Sequence, residues 1–134
     1  MKAGRFLAGM VLPVLLLAGV CLAQAKQRSF QEEYRAAVNH MNRRKYPDAL
    51  KALDTLLTKY KEAYEVKQIR VSRAECLRQM KKHDDALAEL ARLRADFKAD
   101  KQLQSSTLLS TGDILRAKKS FPEAVAAYQK VVKD

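Results

Sequence analysis

The chain has 134 residues, and 26 basic against 15 acidic side chains give it a formal net charge of +11. Gly112 is the only glycine after residue 20, which excludes a glycine-rich phosphate-binding loop in that part of the sequence. His40 and His83 have no cysteine or acidic residue at a metal-ligand spacing, and no serine has a histidine that could activate it. We therefore predict no metal site and no cofactor, and we do not expect an enzyme.

The first 25 residues have the plan of an export signal. A short basic start precedes an uncharged run from Phe6 to Ala23, and Ala23 and Ala25 stand where a signal peptidase reads small residues. Because this run of 18 residues is also at the lower limit for spanning a bilayer, an uncleaved anchor through residues 6–23 is the alternative. Cleavage after Ala25 would leave residues 26–134 as one small domain in which Cys76 has no disulfide partner.

Three similar stretches recur at nearly even spacing: YPDAL at 46–50, HDDAL at 83–87 and FPEAV at 121–125. Each contains an alanine, and a small residue stands twelve positions before it, namely Ala37, Ala74 and Gly112. Apolar residues follow each alanine after four and seven positions, which is one face of a helix. The pattern predicts two helices per unit, at about 29–44, 47–60, 63–81, 84–97, 101–118 and 122–133.

Helix-start residues fall at the expected boundaries. Pro47 and Pro122 lie just inside the second helix of their units, where a missing N–H costs nothing. Asp84 is predicted as the N-cap in the middle unit. Two pairs have capping-box spacing: Ser29 with Glu32, and Ser120 with Glu123.

The stretches AECLRQMKKHDDAL and GDILRAKKSFPEAV resemble the core signature of the tetratricopeptide repeat. The resemblance covers units at about 30–60, 67–97 and 105–134, and it implies an all-α, right-handed superhelical solenoid of three helix-turn-helix repeats. The opening YRAAVNHMNRRKYPDAL looks most like the envelope branch of that family, whose members are associated with the Tol-Pal system and with outer-membrane assembly. Periplasmic or cell-envelope localisation is the corresponding expectation.

The resemblance also implies that the first helix of each repeat lines a concave groove. The matching positions, four in each repeat, are Gln31, Tyr34, Arg35, Val38, Gln68, Val71, Ser72, Glu75, Ser106, Leu109, Ser110 and Asp113. The family's carboxylate clamp is not expected, because the positions that would carry its cationic donors hold Tyr34, Val38 and serines. The function implied is a non-enzymatic adaptor that binds a protein or peptide partner of unknown identity. The alternative is that the groove positions are solvent-exposed residues of a scaffold and bind nothing.

Basic residues recur before each repeated stretch, and we call them the basic ridge: Arg43, Arg44, Lys45, Lys81, Lys82, Lys118 and Lys119. They could act together on an anionic polymer or membrane surface, or simply stabilise the C-terminal ends of helices. Nucleic acid is a less expected partner because the chain carries an export signal. Val125, Val131 and Val132 are expected to leave apolar surface on the last repeat, where a missing capping helix, a second copy or another partner would account for it.

Overall fold

The computed structural model describes residues 11–133, with side chains from residue 18 onward. The basic start, the first part of the apolar run and Asp134 therefore lie outside the described residues. Within the described part the chain forms six α-helices and no strand, which confirms the all-α prediction. The helices are α1 (Val11–Asn42), α2 (Tyr46–Lys59), α3 (Ala63–Gln79), α4 (His83–Asp96), α5 (Lys101–Ala117) and α6 (Phe121–Lys133).

The start predicted for the first helix was wrong. Helix α1 is continuous from Val11, so Ser29 lies inside the helix and does not form a capping box with Glu32. The Ser29 hydroxyl instead donates to Glu33 Oε1 at 3.0 Å, one helical turn onward. Residues 20–28, which directly precede Ser29, contain no proline and no glycine, so no residue of this stretch interrupts the helix. Among the described residues, no helix is both long and apolar enough to cross a membrane.

The chain divides into two compact units, one that ends at Glu33 and one that begins at Tyr34. In the first unit, the α1 residues from Ala18 to Arg28 are exposed, including Val20, Cys21 and Leu22. In the second unit, each helix from α2 to α6 packs on the next one along the chain. This order of contacts is that of a helical-repeat solenoid.

The core of the second unit follows the predicted register. The repeated alanines Ala49, Ala86 and Ala124 are buried, and so are the three small residues that precede them by twelve positions, Ala37, Ala74 and Gly112. Leu53, Leu56, Leu90 and Leu93 fill the layers between successive helices. The sequence therefore located the residues at which neighbouring helices approach closely.

Helices α1, α3 and α5 end in the same turn. Its central residues, Arg44, Lys81 and Lys119, have φ angles of 59°, 59° and 63°. In the first turn the Arg44 amide donates to the Met41 carbonyl and the Lys45 amide to the His40 carbonyl, which is the Schellman pattern of helix termination. The same pair of bonds recurs after α3 and after α5. Each repeat therefore turns at a basic residue in the left-handed region.

The Schellman turn explains why the predicted N-cap at Asp84 was wrong. Lys82 closes the turn by donating its amide to the Leu77 carbonyl, and α4 begins immediately afterwards at His83. Asp84 is consequently the second residue of α4, and its carboxylate accepts a hydrogen bond from Lys118 Nζ. The other helix boundaries of the second unit lie within two residues of their predicted positions.

A buried carboxylate ties α2, α3 and α4 together. Glu89 of α4 is 4% exposed, and its Oε2 lies 2.9 Å from Nη1 of Arg73 on α3. Arg73 Nε also donates to Asp54 Oδ1 on α2 at 2.7 Å. Burial alone would lower the pKa of the Arg73 guanidinium, but the two carboxylates outweigh burial and raise the pKa. The network joins one repeat to the next through charge as well as apolar packing.

Candidate binding groove between α3 and α5

Two cavities lie side by side between α3 and α5, and together we call them the groove. The first, of about 340 Å³, is lined by Tyr34, Lys67, Gln68, Val71, Asp100, Gln102, Leu103 and Ser106. The second, of about 240 Å³, is lined by Val71, Ala74, Glu75, Leu90, Ser106, Thr107 and Ser110. Val71 and Ser106 line both cavities and so form the wall between them.

The structure brings part of the predicted site together. Six predicted residues line the groove, namely Tyr34, Gln68, Val71, Glu75, Ser106 and Ser110. The other six line neither cavity: Gln31, Arg35, Leu109 and Asp113 are exposed, Val38 is half-buried and Ser72 is buried. Sequence reasoning missed the lining residues Lys67, Ala74, Leu90, Asp100, Gln102, Leu103 and Thr107. Among these missed residues, only Asp100 could have been singled out from the sequence, because an acid directly before a predicted helix is a candidate N-cap.

One apolar position recurs on the first helices, and we call it the apolar row. Tyr34, Val71 and Leu109 each stand three residues before the small residue of their repeat. Val71 and Leu109 remain 43% and 47% exposed although both are aliphatic. The Tyr34 hydroxyl lies 2.6 Å from the Ser72 hydroxyl and donates weakly to the Gln68 carbonyl at 3.5 Å, which fixes its ring beside the first cavity. Exposed apolar groups at equivalent positions indicate a contact surface.

The carboxylate of Glu75 at the second cavity is already paired. Arg78 donates to both of its oxygens, at 2.7 and 2.8 Å, and Gln79 adds a third hydrogen bond at 2.6 Å. Burial raises the pKa of Glu75, but these donors outweigh burial and hold the pKa below its usual range. Glu75 therefore stays ionised and is neutralised within its own helix.

The equivalent acid of the next repeat, Asp113, is paired in the same way. Its Oδ1 accepts from the Tyr128 hydroxyl at 2.8 Å and lies 3.6 Å from Arg116 Nη2. At the first cavity, Lys67 donates to Asp100 at 2.9 Å, and this hydrogen bond lowers the pKa of the Asp100 carboxyl. Asp100 also caps α5 by accepting from the Leu103 amide at 2.9 Å. The carboxylates along the groove thus have cationic partners inside the chain.

Gln68 lines the first cavity, but its amide oxygen is buried. Its Nε2 donates to the Tyr64 hydroxyl at 2.7 Å, whereas the buried Oε1 has no hydrogen-bond partner. A buried amide oxygen without a partner costs about 1–3 kcal/mol.

The basic ridge lies outside the groove. All seven of its residues are exposed, and none lines either cavity. Lys118 is paired with Asp84, and acidic residues occupy the first turns of α2, α4 and α6, directly after the ridge segments. The ridge therefore alternates with acidic side chains along the sequence.

The apolar surface expected on the last repeat is present on α6. Val125 is 52% exposed and Val132 is 88% exposed, and Phe121 on the same helix is 58% exposed. Val131 is half-buried, so its predicted exposure is only partial.

The thiol of Cys76 is buried. Its burial, and to a smaller extent the neighbouring negative charge of Glu75, raises the pKa of the thiol to about 11. The thiol is consequently protonated at neutral pH and is not an active nucleophile.

A stacked array of helix pairs with an exposed groove defines a helical-repeat binding protein. A family model described as tetratricopeptide repeat matches residues 34–101 and 79–134, and the chain therefore belongs to the tetratricopeptide repeat family. No curated protein and no solved structure matches the chain. The family is generally a non-enzymatic protein-binding scaffold, and nothing in the described residues points to catalysis. The predicted family is confirmed, while its envelope branch stays a prediction.

Proposed function

We propose that the protein is an exported scaffold that binds a protein or peptide partner of the cell envelope through the groove. The observation that carries the proposal is the pair of adjoining cavities lined by Tyr34, Val71 and Ser106, three positions that the repeat register marks as concave. Arrays of helix pairs supply surfaces of this kind, and apolar anchors with polar edges are typical of peptide-binding sites. The sequence pattern of residues 1–25, which is typical of an export signal, supports the envelope location.

The test is a comparison of captured partners between variants. Val71→Lys with Leu109→Lys places two cations on the apolar row, at side chains exposed enough to leave the fold unchanged. Val125→Lys with Val132→Lys makes the same chemical change on α6 and serves as the control. Proteins cross-linked in membrane fractions to the wild type and to the α6 variant, but not to the groove variant, are the expected partners. An identical set captured by all three forms would exclude the groove as the binding site.

A second candidate function is binding to an anionic surface through the basic ridge. The seven exposed cations, and the identical turn at Arg44, Lys81 and Lys119, favour this candidate. Repeated cations separated by about a Debye length act together on an extended anionic surface. The Lys118–Asp84 ion pair counts against it, since one of the seven charges is already engaged.

A further inference from the structure

We infer that α6 packs against the α6 of a second copy of this chain, in an antiparallel orientation, and that the chain thereby forms a weak two-fold dimer. This inference goes beyond the proposed function, because α6 lines neither cavity of the groove. It follows from three features of α6: a face that is covered in the preceding repeats, a spacing that suits helix pairing, and side chains that complement those of an antiparallel copy.

One side of α6 is less covered than the same side of α2 and of α4. We call it the α6 face, and its residues are Phe121, Val125, Tyr128 and Val132. The equivalent residues are Tyr46, Leu50, Leu53 and Leu57 on α2, and His83, Leu87, Leu90 and Arg94 on α4. All of these equivalents are buried or half-buried, whereas three of the four residues on α6 are exposed and Tyr128 is half-buried.

A following helix covers the equivalent face in each preceding repeat. Helix α3 packs on α2, and α5 packs on α4. Leu50 and Leu87 pack against a core cluster that includes residues of α3 and of α5. Among the described helices, none takes the corresponding place on α6. The α6 face is therefore a surface of the kind that this fold covers with a helix.

The α6 face has the spacing of a seam between two paired helices. Its residues follow one another at intervals of four, three and four positions, which is the pattern of the apolar positions in a coiled coil. On the side away from α5 the face is flanked by Pro122 and Gln129, which carry no charge. A second helix can therefore lie along the face without burying a charged side chain.

The sizes of the side chains fit an antiparallel copy. In a pair centred between Val125 and Tyr128, Phe121 lies opposite Val132 of the second copy. Val125 then lies opposite Tyr128 of the second copy, so each aromatic ring meets a valine. Large side chains that face small ones fill an interface without voids. A parallel pair would place Phe121 against itself and Val132 against itself, which crowds one end and leaves a gap at the other.

The charges of α6 favour the same orientation. Glu123 lies in its first turn, and Lys130 and Lys133 lie in its last turn. An antiparallel pair brings the acidic end of each α6 alongside the basic end of the other, and it also opposes the two helix dipoles. A parallel pair would bring the two basic ends together. A distribution that is complementary to itself is what a two-fold contact requires, and it identifies the occupant as a second copy.

The size of the face sets the strength of the dimer. Helix α6 has 13 residues and is therefore about 20 Å long and about 10 Å wide. This footprint is far below the roughly 800 Å² per partner of a standard interface. Two copies that each carry a net charge of +11 also repel each other. We therefore expect a dissociation constant on the order of 100 µM at physiological salt.

The first experiment measures the mass of the full chain by sedimentation velocity, at physiological salt and at concentrations from about 10 to about 500 µM. The mass should rise from that of a monomer towards that of a dimer. Val125→Lys with Val132→Lys should weaken dimerisation at least about tenfold. Val71→Lys with Leu109→Lys adds the same charge in and beside the groove and should leave dimerisation unchanged. Val132→Lys alone, at a residue that is 88% exposed, should also weaken dimerisation and covers the case in which the double variant misfolds.

The second experiment tests the orientation by cross-linking, in a background that carries Cys21→Ser because Cys21 is exposed. A short bis-maleimide reagent is added to Phe121→Cys, to Val132→Cys and to a mixture of the two proteins. In the antiparallel pair, identical residues at either position lie about 16 Å apart along the helix axis, so neither variant should cross-link to itself. The mixture should give a cross-linked dimer, because residues 121 and 132 of different copies lie opposite each other.

The outcomes decide between the second copy and the other possible occupants of the α6 face. A chain that stays monomeric up to about 500 µM would overturn the inference and leave the face to another protein or helix. A dimer that forms equally well in the folded α6 variants would overturn it as well, since the contact would then lie elsewhere. Phe121→Cys that cross-links to itself as readily as to Val132→Cys would overturn the antiparallel orientation.

Discussion

The ring of Tyr128 on α6 occupies the space that a side chain at Gly112 on α5 would require. A Cβ atom placed on Gly112 would lie 2.3 Å from Cε1 of Tyr128, far inside van der Waals contact. The Tyr128 hydroxyl is held by Asp113, next to Gly112, at 2.8 Å. The close approach of α5 and α6 therefore depends on the absence of a side chain at residue 112, and this dependence can be tested directly.

Gly112→Ala should destabilise the protein although alanine is the better helix former by about 1 kcal/mol. The added methyl group must displace the Tyr128 ring, and overpacking of this kind costs about 1–3 kcal/mol. Urea unfolding of Gly112→Ala, Tyr128→Ala and the double variant would measure the coupling. In the background without the Tyr128 ring, Gly112→Ala should become neutral or stabilising.

Ala74→Leu changes the equivalent position of the preceding repeat, where the side chain is also buried. It should lower the free energy of unfolding by about 1–3 kcal/mol, as expected for overpacking. A wild-type melting temperature of Ala74→Leu would contradict the predicted register.

Glycine at the three left-handed turn positions should stabilise the array. The left-handed conformation destabilises a residue that has a Cβ by about 1–2 kcal/mol, and glycine removes this strain. Part of the improvement is offset because glycine also has more conformational entropy in the unfolded state. Lys81→Gly should therefore raise the free energy of unfolding by about 0.5–1 kcal/mol. Lys82→Gly is the matched control, because Lys82 has a φ of −81° and glycine should lower stability there. Equal effects of the two substitutions would exclude backbone strain as the cause.

Removing Arg73 should be far more harmful than removing Arg78. Arg73→Met leaves the buried Glu89 carboxylate with only Arg70, 3.8 Å away, and should cost about 3–5 kcal/mol. Arg78→Met breaks a partly exposed pair with Glu75 and should cost no more than about 1 kcal/mol. Chemical denaturation at neutral pH would measure both values. Similar losses in the two variants would contradict the pairing of Arg73 with a buried Glu89 carboxylate.

The export signal predicted for residues 1–25 implies a mature protein that begins at Lys26. Intact-mass measurement of the protein recovered from cells should show the loss of residues 1–25. Substitution of Ala23 and Ala25 with bulky residues should prevent the cleavage, because a signal peptidase reads small side chains at these positions. A species that retains Met1 and remains in the membrane fraction would support the anchor model instead.

The basic ridge can be tested with a matched change of net charge. Arg44→Gln, Lys82→Gln and Lys119→Gln together should weaken binding to anionic lipid vesicles and flatten its salt dependence. The control replaces Lys51, Lys98 and Lys133, three exposed lysines outside the ridge, with glutamine. If vesicle binding falls equally in both triple variants, net charge alone acts and the ridge has no function of its own.

The sequence by itself determined the repeat and its register. Ala74 and Gly112 could be placed at helix contacts because helical periodicity and residue size are local properties, readable within one or two turns. The same holds for the helix boundaries of the second unit, where prolines and recurring turns mark the ends. The start of α1 could not be predicted from such local features, because the capping-box spacing at Ser29 also fits the interior of a longer helix.

Only the tertiary structure decided which residues form the groove and how their charges are paired. Lys67 and Asp100 stand 33 residues apart, and Asp54, Arg73 and Glu89 belong to three different helices. Leu109 shares the register of Val71 but lines neither cavity, so register alone did not define the lining. The contacts between repeats depend on how far each helix pair is displaced and rotated against the next. That geometry results from packing all side chains of the interface at once, and no short stretch of sequence specifies it.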